Sequence, residues 1–487
     1  MSEKVLKEAI EKAQREIDKM KNVTSEGVHR QKYHFMAQTG WINDPNGLIF
    51  YKGKYHFFYQ YNPYGSFWDY MHWGHAVSDD MLSWEYLPVA LAPSEDYDNH
   101  PKGGCFSGSA VVHDDKLWLI YTGTAYDGKG YVQTQNAAYS EDGITFTKYE
   151  GNPLIKAPEG VPGDLFRDPY VWKHGDSFYM VLGAGRNGMA QALLYRSENL
   201  TKWEFVNVLA QSRGEWGFMW ECPSLFELDG KYVLSVSPMG AGERTCVYMV
   251  GDFSYETGIF VPQYTGEIDW GFHYYAPQPF KDEKGRTIMA AWANCWDWMP
   301  FFKDWGPTYK ENWCGFYNIP RVVTLNEDMT LSMKPIEEIE AARHDGKAQE
   351  NISVKDSLDI VKGYCYDAEM EIDLDRTDAE SFTLILRRDG CFKTAVTYDL
   401  KAQEIRFDLT DSDGWSSGVA RAPLYLEDSR KLDIRILSDR SSIELFNDEY
   451  RTNMSCNVYT VGEDEDNLLK VEKGQVYISS LRAYQLG

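Results

Sequence analysis

The sequence predicts an all-β chain: a five-bladed β-propeller followed by a C-terminal antiparallel β-sandwich, with a short N-terminal amphipathic helix. Three observations carry this. The composition favours strands and turns over long helices, with 40 Gly and 19 Pro among 33 Tyr and 16 Trp. One strand–turn–strand pattern recurs five times along the first two thirds of the chain. Beyond residue 325 that repeat stops and a different run of alternating strands begins. The 487 residues exceed one ordinary domain, and two unequal ones account for them.

The helix comes first. Val5, Leu6, Ile10, Ala13, Ile17 and Met20 recur at helical spacing among charged residues, which predicts a surface helix packed on the body of the protein within a lead-in of residues 1–29. The stretch has no apolar run of signal-peptide or membrane length, and its acidic residues argue against a transit peptide.

The propeller is expected over 30–325. The five copies are GLIFYKGKYHFFYQ (47–60), SAVVHDDKLWLIYTG (109–123), DPYVWKHGDSFYMVLG (168–183), CPSLFELDGKYVLSVS (222–237) and YAPQPFKDEKGRTIMAAW (275–292). Their turns centre near Gly53, Asp115, Gly175, Gly230 and Gly285, so the period is 55 to 62 residues, the length of a four-stranded blade. A second pattern interleaves with the first: SDDMLSW (78–84), SEDGITF (140–146) and SENLTKW (197–203) each place Ser six residues before an aromatic. These predict one turn repeated in consecutive blades, with the aromatic buried between sheets.

A linker with a short helix is expected over 326–350, in PIEEIEAARHDGKAQE. Period-2 alternation then returns in AEMEIDLD (368–375), FTLILRR (382–388), EIRFDL (404–409), LDIRILSD (432–439) and SSIELFN (441–447), and predicts a sandwich over 351–487.

Charge and cysteine usage narrow the function. With 49 basic and 74 acidic residues the net charge is −25, which excludes nucleic acid or an anionic membrane as the main partner. None of the eight cysteines forms a C-x-x-C pair, so no zinc site is indicated, and scattered thiols point to a reducing cytoplasm. His72 and His75 in MHWGH lack a third ligand nearby and read as packed, hydrogen-bonded residues. No metal and no cofactor are expected; the oligomeric state stays open, a homodimer being one option.

The inner strands of a propeller line a central channel, so the polar residues opening those strands are the candidates for chemistry. Asp44 lies nine residues before Gly53, Asp168 seven before Gly175, and Glu221 nine before Gly230. Three acids from three repeats therefore fall at nearly one structural position. Converging carboxylates without metal-ligating histidines suit glycosyl transfer, with one as nucleophile and one as proton donor. Glu221, between Met219, Trp220, Cys222 and Pro223, reads as the acid kept protonated by an apolar setting, and Arg167 as a compensating charge for Asp168. Asp44, beside Asn43 and Asn46, reads as the anion held by hydrogen bonds.

WINDPNG (41–47), FRDP (166–169) and WECP (220–223), in this order, resemble the signatures of glycoside hydrolase family 32, the β-fructofuranosidases. YHFFYQYNP (55–63), FSGSAV (106–111), WCGFYNIPR (313–321) and LDIRILSDRSSIELFND (432–448) resemble further blocks, so the likeness runs from Tyr33 onward. The resemblance implies a propeller followed by a sandwich, with Asp44 as nucleophile, Glu221 as acid/base and Asp168 holding the fructose hydroxyls. It also implies that Asn43, Gln60, Trp68, Phe106, Ser107, Arg167 and Trp292 line the fructose subsite. The implied activity is retaining release of terminal fructose from sucrose and short fructo-oligosaccharides, with sucrose 6-phosphate a further substrate left open. A fructosyltransferase, or an inulinase or levanase acting on longer fructans, is the alternative. No Lys/Arg cluster marks a site for the phosphate of sucrose 6-phosphate. The chain departs from the family pattern over 293–312, where Trp296, Trp298, Phe301, Phe302 and Trp305 are expected to wall the leaving sugar.

Overall fold

Five tight hairpins organise the first two thirds of the molecule. The strand pairs Tyr51↔Lys54, His113↔Lys116, His174↔Ser177, Leu228↔Lys231 and Lys281↔Thr287 close around the five turns that the repeat predicts. In three of them both central residues take positive φ, as at Lys52 and Gly53 (46° and 81°), which matches the twist of the flanking strands. The computed structural model describes residues 2–242, 244–298, 306–426, 430–460, 462 and 466–487.

Each hairpin supplies the two inner strands of a sheet. The inner strands are Gly40–Tyr51, Gly104–His113, Phe166–His174, Met219–Leu228 and Tyr275–Lys281, and each touches the next, with the fifth returning to the first. The five sheets therefore close as blades 1 to 5 around a channel. Blade 5 takes its outer strands, Arg321–Leu325 and Leu331–Pro335, only after an excursion past residue 292. That excursion places Trp313–Cys314 parallel to Gly40–Trp41 at the start of blade 1. The Ser-to-aromatic pattern is a turn between the third and fourth strands of blades 1 to 3. Ser78, Ser140 and Ser197 each accept a backbone N–H with the side-chain oxygen, and Asp80, Asp142 and Asn199 each accept two more. Phe146 is buried as expected, whereas Trp84 and Trp203 are half-buried.

The helix Ser2–Ser25 lies on the outer strand of blade 1, Glu85–Leu91. Leu6, Ala13 and Ile17 are buried beneath it. Val5 is 42% exposed, because one residue rotates a helical side chain by about 100° off the buried stripe.

The expected linker is shorter than 326–350. Leu331–Pro335 is the fourth strand of blade 5, and Arg343–Val354 is an edge strand of the sandwich, which leaves a 3₁₀ turn at Glu337–Ala342 between them. Arg343–Val354 is solvated over most of its length, so it lacks the alternation that would reveal it. The sandwich stacks two six-stranded sheets over a core that includes Ile372, Leu384, Val396, Ile434 and Leu445.

A buried charge network joins the two parts. Arg321 of blade 5 donates to Asp269 (2.8 Å) and to Glu444 of the sandwich (2.6 Å), and His34 bridges Asp439 and Glu444 at 2.8 Å each. The ion-pairing side chains are fully buried. Burial pulls the His34 imidazole down, but the two carboxylates outweigh it and lift it to about 9. Burial pushes Asp439 up, but the His34 bond and backbone donors outweigh it and hold it at about 2. The raised histidine stabilises the fold fully below its ordinary 6.5 and loses that contribution as pH climbs through about 9. The depressed aspartate contributes above its ordinary 3.8 and loses that as pH falls through about 2. His34→Ala strands two buried carboxylates and is expected to cost about 3–5 kcal/mol. Denaturant midpoints at pH 6 and pH 9 check this: the gap between variant and wild type should be widest at pH 6 and narrower at pH 9.

Candidate active site

Every inner strand breaks its register near the same end. The interruptions fall between Ile42 and Pro45, Phe106 and Gly108, Arg167 and Tyr170, Glu221 and Ser224, and Tyr275 and Gln278. In blades 3, 4 and 5 the bulged residue precedes a proline, in Asp168-Pro169, Cys222-Pro223 and Ala276-Pro277. Proline has no N–H for the ladder, so the strand must leave register there. Asp168, Cys222 and Ala276 take φ of 68°, 46° and 51°. A left-handed backbone costs a non-glycine residue on the order of 1 kcal/mol. Three such residues in phase around one channel mark a built site.

The register corrects one expectation. Glu221 does not share the position of Asp168; it sits one residue earlier, and its counterparts are Arg167 in blade 3 and Tyr275 in blade 5. These three equivalents touch in sequence around the channel. Arg167 Nε donates to Glu221 Oε1 at 3.0 Å, with Nη2 2.9 Å from the same oxygen, and the Tyr275 hydroxyl donates to Oε2 at 2.6 Å. Glu221 thus has polar partners, not the apolar setting its neighbours in sequence imply. Strand alternation turns the flanking Trp220 away, into the packing between blades 3 and 4.

The bulge positions form a second ring. Ser107 Oγ donates to Asp44 Oδ2 at 2.5 Å, and Asn43 Nδ2 donates to Oδ1 at 3.0 Å. Trp41 Nε1 fixes the Asn43 amide from behind, at 2.8 Å from its oxygen. The Cys222 backbone N–H donates to Asp168 Oδ2 at 3.0 Å, and its thiol lies 3.5 Å from Asp44 and 3.7 Å from Asp168. One thiol therefore separates two carboxylates.

Crowding sets the electrostatics. Burial, and then the charge of Glu221, push Asp44 up to about 6 against the bonds from Ser107 and Asn43. Burial also raises Asp168, to about 7, with Glu221 and Asp44 adding to it and Arg167, 3.9 Å away, opposing. Asp44 and Asp168 therefore raise one another across the cleft.

The three carboxylates line a cleft of about 440 Å³ together with Asn43, Gln60, Trp68, Phe106, Ser107 and Arg167. Gln60 is held by its amide on the Cys105 carbonyl at 2.9 Å, and Trp68 meets Phe106 edge-on. Trp292 is not on the wall. It is fully buried, behind Trp41 and Trp296, with ring centroids 5.8 and 4.9 Å away. Trp296, stacked on Trp41, takes the wall instead. Phe301, Phe302 and Trp305 lie outside the described residues, as does the side chain of Trp298. His72 bonds the Tyr70 carbonyl and His75 bonds His56, so the two point to different partners. Sequence reasoning missed Tyr275, Gln133, Asp164, Met239, Lys102 and Tyr131. Only Tyr275 had a signal, its place before Ala276-Pro277 in the fifth repeat.

Two family models match. "Glycosyl hydrolases family 32 N-terminal domain" covers residues 34–335, and "Glycosyl hydrolases family 32 C terminal" covers 338–485. A sucrose-6-phosphate hydrolase of Zymomonas mobilis is 37% identical over 440 residues, 85% of this chain and 83% of that one. A raffinose invertase of Escherichia coli is 33% identical, with 92% and 93% covered. Among solved structures, a β-fructofuranosidase of Bombyx mori superposes with a TM-score of 0.84 at 34% identity, over 99% of this chain and 98% of that one.

The raised Asp44 has a consequence for stability. Its proton favours the folded state below the ordinary 3.8, and that contribution is lost as pH rises through about 6. Above that, the wild type carries a buried charge at a cost of roughly 3 kcal/mol. Asp44→Asn removes the charge and keeps the shape, so it should melt several degrees higher than wild type at pH 8. The two should converge at pH 4, and thermal scans at both values measure this.

Proposed function

Because this chain belongs to glycoside hydrolase family 32, we read it as a β-fructofuranosidase acting on sucrose, and we propose that it works by double displacement through Asp44. A carboxylate oxygen of Asp44 attacks the anomeric carbon of the terminal fructose. The glycosidic bond breaks as Glu221 gives its proton to the leaving oxygen. Water then gives a proton back to Glu221, attacks the same carbon and releases Asp44. Asp168 accepts bonds from fructose hydroxyls. Ser107 and Asn43 aim the Asp44 oxygens, and Arg167 and Tyr275 fix Glu221 from both sides. The observation that carries this reading is the convergence of three carboxylates from three blades in one cleft.

The fructosyltransferase alternative is not favoured, since the relatives are hydrolases by name, the levanase of Bacillus subtilis among them. Cys105, Cys222, Cys246, Cys314, Cys365, Cys391 and Cys456 are free thiols, which suits a reducing compartment and supports a cytoplasmic location as part of the proposal.

Asp44→Asn and Glu221→Gln should each lower kcat by about 10³-fold or more with folding intact. Proton NMR should show fructose appearing first as the β anomer, and α first would overturn double displacement. Turnover should rise through about pH 6 as Asp44 ionises, and a pH–rate profile of the wild type checks this.

The charges at the mouth bear on phosphorylated substrate. Among the described residues lining the cleft, Lys102 and Arg167 are the cations; Arg167 is held by Glu221 and Lys102 by Asp69 at 2.7 Å, with Asp164 nearby. A dianionic phosphate has no uncommitted cation among the described residues of the lining. Sucrose should therefore exceed sucrose 6-phosphate in kcat/KM, and parallel glucose-release and glucose-6-phosphate-release assays compare them.

A further inference from the structure

Large aromatic side chains left in solvent need a reason. Tyr126 is 49% exposed and Tyr131 is 39% exposed. They face each other as the last pair of a blade 2 hairpin, Lys116–Tyr126 with Tyr131–Ser140. The turn between them is fixed: the Asp127 carboxylate accepts the backbone N–H groups of Lys129 and Gly130 at 2.9 and 3.1 Å. His100 leans on both rings, at 5.7 Å from each centroid. The loop carrying His100 is itself tied down. Asn99 accepts the Tyr70 hydroxyl at 2.9 Å, and Lys102 donates to Asp69 at 2.7 Å. The two rings are thus a rigid, preset surface, not a frayed tip.

Their place gives them a use. Tyr131, Lys102 and Trp68 all line the cleft that holds the carboxylates. Tyr126 pairs with Tyr131 across the hairpin and is not one of the lining residues. A substrate longer than the cleft that leaves along this wall meets the pair next. Apolar C–H faces of sugar rings pack on aromatic faces, while the phenol and imidazole edges offer hydrogen bonds to ring hydroxyls.

We propose that Tyr126, Tyr131 and His100 form a further subsite for the third sugar unit of fructo-oligosaccharides. The proposal rests on the fructosidase reading and adds a preference within it. A disaccharide ends before this surface, whereas the next unit of a trisaccharide or longer fructan stacks on it. The subsite acts in binding, so it discriminates by chain length and leaves the bond-breaking step to the carboxylates.

The test compares kcat/KM for sucrose and 1-kestose in wild type, Tyr126→Ala and Tyr126→Phe, with melting midpoints alongside. Tyr126→Ala should lower the kestose-to-sucrose ratio about fivefold, Tyr126→Phe should restore most of it, and the midpoints should coincide. Tyr131→Ala reads the same ratio from the other half of the pair. A ratio unchanged in both alanine variants overturns the proposal. So does a parallel fall for both substrates with a lowered midpoint, as a merely structural rim would give. Failure of the fructosidase reading would look different: wild type would release no fructose from either sugar.

Discussion

The constraint on which the site depends is the crowding of like charge. Asp44 and Asp168 share one thiol as neighbour, and Arg167 stands 3.0 Å from Glu221 and 3.9 Å from Asp168. Asp44 and Asp168 are buried and Glu221 is partly so, and the protons that Asp44 and Asp168 keep toward neutrality answer the repulsion of three carboxylates around one guanidinium. A site needing one ionised and one protonated acid at once is built most simply this way. The carboxylates are placed so that they cannot all ionise cheaply, and fixed donors bias where each charge rests. The bulged inner strands hold the arrangement, because a regular ladder would turn alternate side chains away from the channel.

Such a cluster needs walls that do not yield. The blades supply part of this, and the junction with the sandwich supplies the rest. Arg321, on the third strand of blade 5, is pinned between Asp269 of the propeller and Glu444 of the sandwich. The segment before blade 1 is pinned through His34 to the same Glu444 and to Asp439. Blades 1 and 5 are where the ring closes, and Tyr317, on the excursion between strands of blade 5, donates to the Asp44 carbonyl at 3.0 Å. The sandwich thus braces the seam of the propeller next to Asp44. A ring closed by a short parallel pair, Gly40–Trp41 on Trp313–Cys314, has reason to be braced there.

Much of this was legible from residues alone. The turns at Gly53, Asp115, Gly175, Gly230 and Gly285 join the strands that the repeat assigns to them, because a tight turn needs residues that tolerate positive φ, and these leave a local signal. The three acids converge as their phase requires. The register of Glu221 was hidden, because counting from the turn ignores the bulge, and a one-residue slip moves a side chain to a different ring of contacts. Trp292 was misplaced for a related reason: it lies behind the wall, while Trp296 lines the cleft. Both lie in one aromatic stretch, and only the fold decides which ring backs the wall and which forms it. The outer strands of the sandwich escaped where both faces are polar, since periodicity reports burial and not hydrogen bonding.

The division between what repeats and what does not also divides the chemistry from the selectivity. Asp44, Ser107, Asp168, Glu221 and Tyr275 all come from inner strands, at or beside the bulges, so their mutual geometry is set by the symmetry of the ring. Trp68, Lys102 and Trp296 come from connections that differ from blade to blade, and Tyr131 from the tip of one hairpin. Hydrolysis of one bond is therefore built into the part of the fold least free to vary. On the proposed reading, the identity of the group beyond that bond falls to the part most free to vary, and substitutions at the rim should alter substrate choice while the carboxylate cluster keeps its shape.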